Sequence, residues 1–402
     1  MGRNDGKEKL MEIYLDNSAT TMAYKEVADL SYNIMTSAYG NPSSMHSKGV
    51  EAEEYVKTAY KQAAKALKVT EKEILFTSGG TESDNLALIG AARANKRAGM
   101  HIITTKIEHP AILNTVEYLK SEGFEIDYLG VNSLGLISLD ELKEKIRPDT
   151  ILVSIMHTNN EVGSVQPIEE AGKLIKEINP NTLFHVDAVQ GFGKAFIYPK
   201  KQKIDMLSVS GHKIHGPKGV GILYVDEHVK LKPISYGGGQ QKGLRNGTLN
   251  VPGIAGMGLA IEMITNGLAE KREELFRLKN FFLTEVSKLP SVKVNGCERL
   301  SDGSFDVYKT APHIMNISVK GLRSEVMLHA LEERGIFVSA GSACASHSKK
   351  ESSTLKAMGA SSTETDGALR ISMSEFTTME ELSEMVKDLK EVIEIYGRFT
   401  RR

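Results

Sequence analysis

Short apolar runs recur through the middle of the chain: ILFTS at 74–78, HIITT at 101–105, EIDYLGV at 125–131, TILVSIM at 150–156, LFHVDAV at 183–189, MLSVS at 206–210 and GILYV at 221–225. The stretches between them repeat apolar residues at helical spacing, most clearly AEEYVKTAYKQAAKAL at 52–67 and SDNLALIGAARANKRAG at 83–99. Nearly continuous apolar strands alternating with amphipathic helices predict an α/β domain whose mostly parallel sheet is covered on both faces. From Pro252 to about Leu289 a long helical pattern follows, with Pro252 suited to a first turn and Glu273 four residues before Arg277; it reads as a link between two domains. Beyond it, VKVNG, HIMNISV, IFVSAGS and ALRISMS read as strands, and EVMLHALEERG and MEELSEMVKDLKEVIEIY as helices, predicting a small α+β domain. The glycine-dense GGGQQKGLRNG at 237–247 reads as a flexible, functional surface loop.

Composition narrows the function classes. With 402 residues, 41% hydrophobic and 25% charged, the chain has ordinary globular proportions and no apolar run long enough to cross a membrane. A formal net charge of −1 gives no global reason to bind nucleic acid or anionic lipid. Two cysteines, Cys297 and Cys344, without a secretory pattern argue against a disulfide framework and for the cytoplasm. The first ten residues are polar and read as a loose extension.

In open α/β sheets ligands gather outside the carboxyl ends of the strands, so the residues that close each run are the candidates for chemistry. ILFTS leads to Gly79, Gly80 and Thr81; HIITT to Glu108 and His109; TILVSIM to Asn159 and Asn160; LFHV to Asp187 and Gln190; MLSVS to His212 and Lys213. A helix opening at the glycine pair offers free N–H groups and a positive dipole end to a phosphate, although Thr81 and Asp84 also fit a capping box. No nucleotide-binding glycine motif of the Walker or Rossmann kind occurs. At a sheet mouth, partial desolvation would free the Lys213 amine for a carbonyl, and Asp187 could keep a pyridine nitrogen protonated. Either residue alone would read as solvated or capping; phosphate seat, carboxylate and lysine in this order point to an aldehyde cofactor. His109 could lie against an aromatic ring or carry a proton. The competing metal reading, through His185, His212 and His215, suffers from opposite-facing side chains at 212 and 215 and from the lack of a recognisable carboxylate or cysteine partner.

The ordered motifs YLDNSATT, YGNPSSMH, FTSGGTESDN, EHPAI, MHTNNEVG, HVDAVQ, SGHKIHGPKGVG, GLRNGTLNV, GSACAS and LRISMSEFTT span nearly the whole chain. In them the sequence resembles the pyridoxal phosphate enzymes of aminotransferase fold type I, and more narrowly the cysteine desulfurases of the class-V group related to housekeeping iron–sulfur cluster assembly. The resemblance implies a large cofactor-binding domain over 21–255 with a mostly parallel seven-stranded sheet, a linking helix and small C-terminal α+β domain over 256–402, and an N-terminal segment, 1–20, packing with the small domain. It implies that Lys213 captures the cofactor aldehyde, that Asp187 pairs with the pyridine nitrogen, and that His109 stacks on the ring and takes part in catalysis. Asn160 and Gln190 would contact the ring substituents, and Gly80, Thr81, Ser210 and His212 would hold the phosphate. Thr248 would reach the phosphate of the partner subunit in a homodimer. Arg370 would clamp the carboxylate of L-cysteine, as a bidentate guanidinium can, assisted by Asn160 and Asn41. Cys344 would accept the sulfur as a persulfide, leaving L-alanine, and pass it to an acceptor, an iron–sulfur scaffold or a tRNA-thiolation protein, with no direct nucleic-acid or membrane partner.

The surroundings of Cys344, SAGSACASHSKKESS, have the small, polar composition of a mobile loop, and His347, Lys349 and Lys350 could favour the thiolate. Cys297, in VKVNGCERL, reads as a buried small hydrophobe. The alternatives are a selenocysteine lyase or another β-elimination on the same scaffold, and a non-catalytic cofactor-binding relative.

Overall fold

The computed structural model describes residues 12–340 and 352–397. They divide into two compact units: a larger one, residues 20–160 with 164–270, and a smaller one formed by the chain before residue 20, residues 161–163 and the chain from 271 onward. Strand β1 (Ile13–Tyr14) belongs to the smaller unit. The seven apolar runs become β2 (Ile74–Thr77), β3 (His101–Thr105), β4 (Glu125–Leu129), β5 (Thr150–Met156), β6 (Leu183–Asp187), β7 (Met206–Ser210) and β8 (Gly221–Val225). They form one sheet in the order β2-β8-β7-β6-β5-β3-β4. Only β8 is reversed: it pairs antiparallel with both β2 and β7, while the other pairs are parallel.

The runs are apolar throughout because both faces are covered. Ile102, Leu152, Met206 and Leu223 pack with Leu86, Ala91 and Val116 on one side. Their neighbours Ile103, Val153, Leu207 and Ile222 pack with Ala59, Ala63, Ile175 and Ile261 on the other. Successive strand residues point to opposite faces, so a strand buried on both sides cannot alternate with polar residues.

Two expectations change. The helical pattern from Pro252 is two helices, Val251–Thr265 and Leu268–Val286, broken at Asn266 and Gly267. Gly267 has φ +65°, a left-handed conformation that glycine adopts without a Cβ clash. The first helix belongs to the larger unit, so the boundary lies at Glu270/Lys271 and not at 255/256. Arg277 pairs with Glu274 at 2.6 Å, and Glu273 instead accepts the Tyr308 hydroxyl. The glycine-rich stretch is also tethered. The Gln241 side chain accepts from Phe76 N and donates to Phe76 O, both at 2.7 Å, so one residue partners the outer edge of β2. Arg245 pairs with Glu82 at 2.9 Å.

In the smaller unit, β9 (Val292–Asn295), β10 (Ile314–Val319), β12 (Ser339–Ala340) and β13 (Ala368–Ser372) form an antiparallel sheet in the order β12-β13-β10-β9, and β11 (Ile336–Phe337) pairs in parallel with β1. Helices Leu268–Val286, Ser324–Glu332 and Met379–Tyr396 pack one apolar cluster against these strands. Cys297 is buried in that cluster, and desolvation pushes its thiol pKa up. No single helix among the described residues is long and apolar enough to cross a membrane.

Candidate active site

Because β8 alone is reversed, the carboxyl ends of β2, β3, β5, β6 and β7 open on one edge of the sheet. Helix Gly80–Asn95 begins there, after Gly79 at φ +152°. A Cβ on Gly80 would lie 2.8 Å from Val189 Cγ2 and 3.7 Å from Ser210 Cβ, so glycine lets the helix N-terminus pack directly on the ends of β6 and β7. No side chain of its N-cap residue covers that terminus; Glu82 Oε2 accepts the N–H of Ser78, at 2.6 Å. Thr81 is exposed in the first turn, and Ser210 is buried at the end of β7. The capping-box alternative for Thr81 and Asp84 is wrong, because Asp84 is fully buried beside Asp187.

Lys213 closes a tight turn, Gly211–Lys213, immediately after β7. The backbone on both sides of it is gripped by threonines of the YLDNSATT motif. The Thr21 hydroxyl donates to His212 O at 2.9 Å and accepts from His215 N at 2.8 Å, and Thr21 N also donates to His212 O. Thr20 Oγ1 lies 3.2 Å from His212 Nδ1. Burial, reinforced by Lys213 and Lys218, pushes the His212 pKa down to about 4, leaving it neutral. The three histidines weighed as metal ligands have separate engagements: His185 bonds Ser154 and Ser208, His215 bonds Met22 O, and His212 bonds Thr20.

Asp187 ends β6, and its Oδ1 accepts from Val189 N at 2.9 Å. Burial raises its pKa, opposed by the Val189 hydrogen bond and by the Lys213 charge. Two further buried acids crowd it. Glu108 Oε1 accepts from Thr105 Oγ1 at 2.8 Å and from Met156 N at 2.9 Å, linking the ends of β3 and β5, while its Oε2 has no partner. Desolvation pushes the Glu108 pKa up to about 8. For Asp84, desolvation and the Asp187 charge raise the pKa strongly. Like charges this close cannot all ionise cheaply, so Asp84 and Glu108 tend to the neutral form.

His109 caps helix Pro110–Ser121, its Nδ1 accepting from Ala111 N at 3.1 Å. That bond assigns the proton of the neutral ring to Nε2, and burial lowers the pKa so that the ring stays neutral. Asn159 is structural: its Nδ2 donates to Ile107 O at 3.1 Å, and its N to Ser164 O at 2.9 Å, fixing the chain just before Glu108 and His109.

The sheet edge thus gathers Gly80, His109, Asp187, Ser210, His212 and Lys213, while Asn160 and Gln190 follow the ends of β5 and β6 in the chain. Thr20, Thr21, Asp84, Glu108 and Asn159 support them; Glu108 and Asn159 stand among the strand-end candidates of the sequence, whereas no local pattern marks Thr20, Thr21 or Asp84 for this part. Asn41, whose Oδ1 accepts from Ser43 N, and Thr248 are exposed. In the smaller unit Arg370 lies on β13 with 4% of its side chain accessible, and its Nη2 donates to Asp16 Oδ1 at 2.7 Å. Cys344, His347, Lys349 and Lys350 lie outside the described residues.

Residues 13–385 match the family Aminotransferase class-V. A protein of Methanosarcina thermophila named cysteine desulfurase IscS is 42% identical over 95% of this chain and 92% of its own length. Among solved structures, a NifS-like protein superposes with a TM-score of 0.88 at 37% identity, covering 96% of this chain and all of the other. Another, described as SspA in complex with cysteine, has a TM-score of 0.75 at 34% identity, over 92% of this chain and all of the other. This chain belongs to the class-V aminotransferase family and, within it, to the cysteine desulfurases.

Proposed function

We propose that the chain converts L-cysteine to L-alanine with pyridoxal phosphate at this sheet edge, and carries the sulfur on Cys344 to an acceptor protein of iron–sulfur assembly or tRNA thiolation. The observation that carries the reading is the convergence of a bare helix N-terminus, a buried carboxyl crowded by neutral acids, and a lysine in a braced turn. The residues fit the group: the close approach at Gly79 and Gly80 leaves backbone N–H groups for phosphate oxygens, beside the Ser210 hydroxyl. When bound, pyridoxal phosphate supplies an aldehyde for amines and a ring that stabilises negative charge at the amino-acid α-carbon.

Lys213 holds the cofactor through its amine and, once free, takes the α-proton of the substrate. Asp187 would pair with the ring nitrogen. His109 would stack on the ring, and its neutral imidazole carries its proton at Nε2. Gly80, Thr81, Ser210 and His212 hold the phosphate, and Asn160 and Gln190 fix the ring substituents. Arg370 receives the substrate carboxylate, with Asp16 anchoring one tine of its fork and Asn160 and Asn41 assisting. The Cys344 thiolate attacks the substrate sulfur; an S–S bond forms as the Cβ–S bond breaks and its electron pair stays with the carbon skeleton, which takes up protons to become alanine. A solved relative described with bound cysteine supports the substrate. Thr248 would reach the phosphate of a second copy in a homodimer; the large exposed side chains of Met22, Tyr32, Met35 and Tyr39 suit such an interface.

The test is alanine formation from L-cysteine. Lys213→Ala should lose both the absorbance near about 400 nm and the activity, whereas Cys344→Ala should keep the absorbance and form no alanine. Full turnover by Cys344→Ala would refute the assignment.

A further inference from the structure

The MHTNNEVG motif continues past the two asparagines into Glu161–Gly163, which belong to the smaller unit. The backbone of this insert is fixed there: Asn316 Nδ2 donates to Glu161 O at 3.2 Å, and Ala311 N to Gly163 O at 2.8 Å. Val162 packs with Leu355 and Ala368. Gly163 has φ +75°, and a Cβ there would lie 3.0 Å from Ile314, so the turn both needs glycine and presses against β10.

So held, the Glu161 side chain takes two hydroxyls. Ser352 Oγ donates to Glu161 Oε2 at 2.5 Å, and Thr354 Oγ1 donates to Oε1 at 3.1 Å. Ser352 caps helix Ser353–Ala357, its Oγ accepting from Leu355 N at 3.0 Å, which leaves its single proton for Glu161. Dense packing raises the pKa of the carboxyl, while the two hydroxyls and the Arg370 guanidinium favour its charged form. Arg370 stands on β13, beside Leu369, which pairs with Ala340 of β12. Both described ends of the chain around 341–351 are therefore tied to one framework, Ala340 by strand pairing and Ser352 by Glu161.

We propose that Glu161 is a positioning residue for sulfur transfer, its carboxyl fixing Ser352 and Thr354 where the chain resumes after the Cys344 segment, and so setting how readily that thiol meets the substrate sulfur. The proposal rests on the functional reading above. A tethered group loses effective concentration as its tether lengthens; releasing Ser352 moves the downstream anchor along the chain. Asn160, given to cofactor and substrate, directly precedes Glu161, so one short motif serves both the bound amino acid and the anchor of its sulfur acceptor.

The test uses the full-length holoenzyme with Glu161→Ala, Glu161→Gln and Ser352→Ala. In a single turnover with L-cysteine, the rate at which sulfur appears on Cys344, read by mass spectrometry, should fall about tenfold in Glu161→Ala and Ser352→Ala and less in Glu161→Gln, which keeps one acceptor. The cysteine concentration that half-saturates the change in cofactor absorbance should stay within about twofold of wild type. Backbone hydrogen exchange over 352–357 should accelerate about tenfold. Wild-type loading of Cys344 or unchanged exchange in Glu161→Ala would overturn the proposal, as would a loss of loading matched by weaker cysteine saturation. Should Glu161→Ala fail to fold, Ser352→Ala removes the same bond from the other side. A wild-type chain that never carries sulfur on Cys344 overturns the functional reading, and the transfer role with it; normal loading in the variants overturns this proposal alone.

Discussion

Replacing Glu108 by glutamine should reverse its effect on stability between mildly acidic and alkaline pH. Burial moves the ionisation of this carboxyl from 4.5 to about 8. At roughly 1.4 kcal/mol per pH unit, the charged form is about 5 kcal/mol less favourable in the folded chain than in the unfolded one. The folded pKa is the higher, so this group's favourable contribution is complete below the unfolded value and is lost as pH rises toward about 8. Glutamine cannot ionise, and its carbonyl can still accept from Thr105 Oγ1 and Met156 N. Its amide would occupy the position of the partnerless Oε2, at a cost of about 1–3 kcal/mol. Glu108→Gln should therefore be slightly less stable than wild type near about pH 5 and more stable by several kcal/mol near about pH 9. Asp84 and Asp187 titrate in both proteins and cancel to first order. The chain contains no tryptophan, so the assay is urea unfolding by far-ultraviolet circular dichroism, with the cofactor removed so that no ring charge acts on the acids. A stability difference that stays constant with pH would refute the claim that Glu108 is a desolvated, largely neutral acid at physiological pH.

Two other substitutions test parts of the site separately. Asp16→Asn removes the charged anchor of Arg370 and should raise the KM for L-cysteine about tenfold while kcat stays within about twofold, measured by steady-state alanine formation; a change confined to kcat would remove the anchoring role. Gly80→Ala places a Cβ 2.8 Å from Val189 Cγ2 and should weaken cofactor binding about tenfold or more in an absorbance titration, with much of the loss recovered in the Gly80→Ala, Val189→Ala double variant. No recovery would mean that Val189 is not what excludes a side chain at Gly80.

Much of this protein is legible along the chain because the signals are local. All seven apolar runs are strands of one sheet, and Gly80, His109, Asp187 and Lys213 each follow the carboxyl end of their own strand, although across the sheet their order becomes Gly80, Lys213, Asp187, His109. Helix Met379–Tyr396 begins where the apolar repeat begins, behind Thr378 and its capping box with Glu381. The break at Gly267 is not legible in the apolar period, which runs through it; the helix is interrupted by the extended backbone of Asn266 and the left-handed φ of Gly267.

The sequence by itself determined the elements, the strand-end stations and the family, because periodicity and motif spacing are properties of neighbouring residues. Only the tertiary structure decided which acids are neutral, which threonines brace Lys213 and where Glu161 anchors. Asp84 reads as a first-turn acid until helix Gly80–Asn95 is laid against β6 and β7; its desolvation, like that of Glu108, is a sum over residues distant in the chain. Thr21 and His212, or Glu161 and Ser352, meet only after the intervening chain has folded, so no local pattern could announce them.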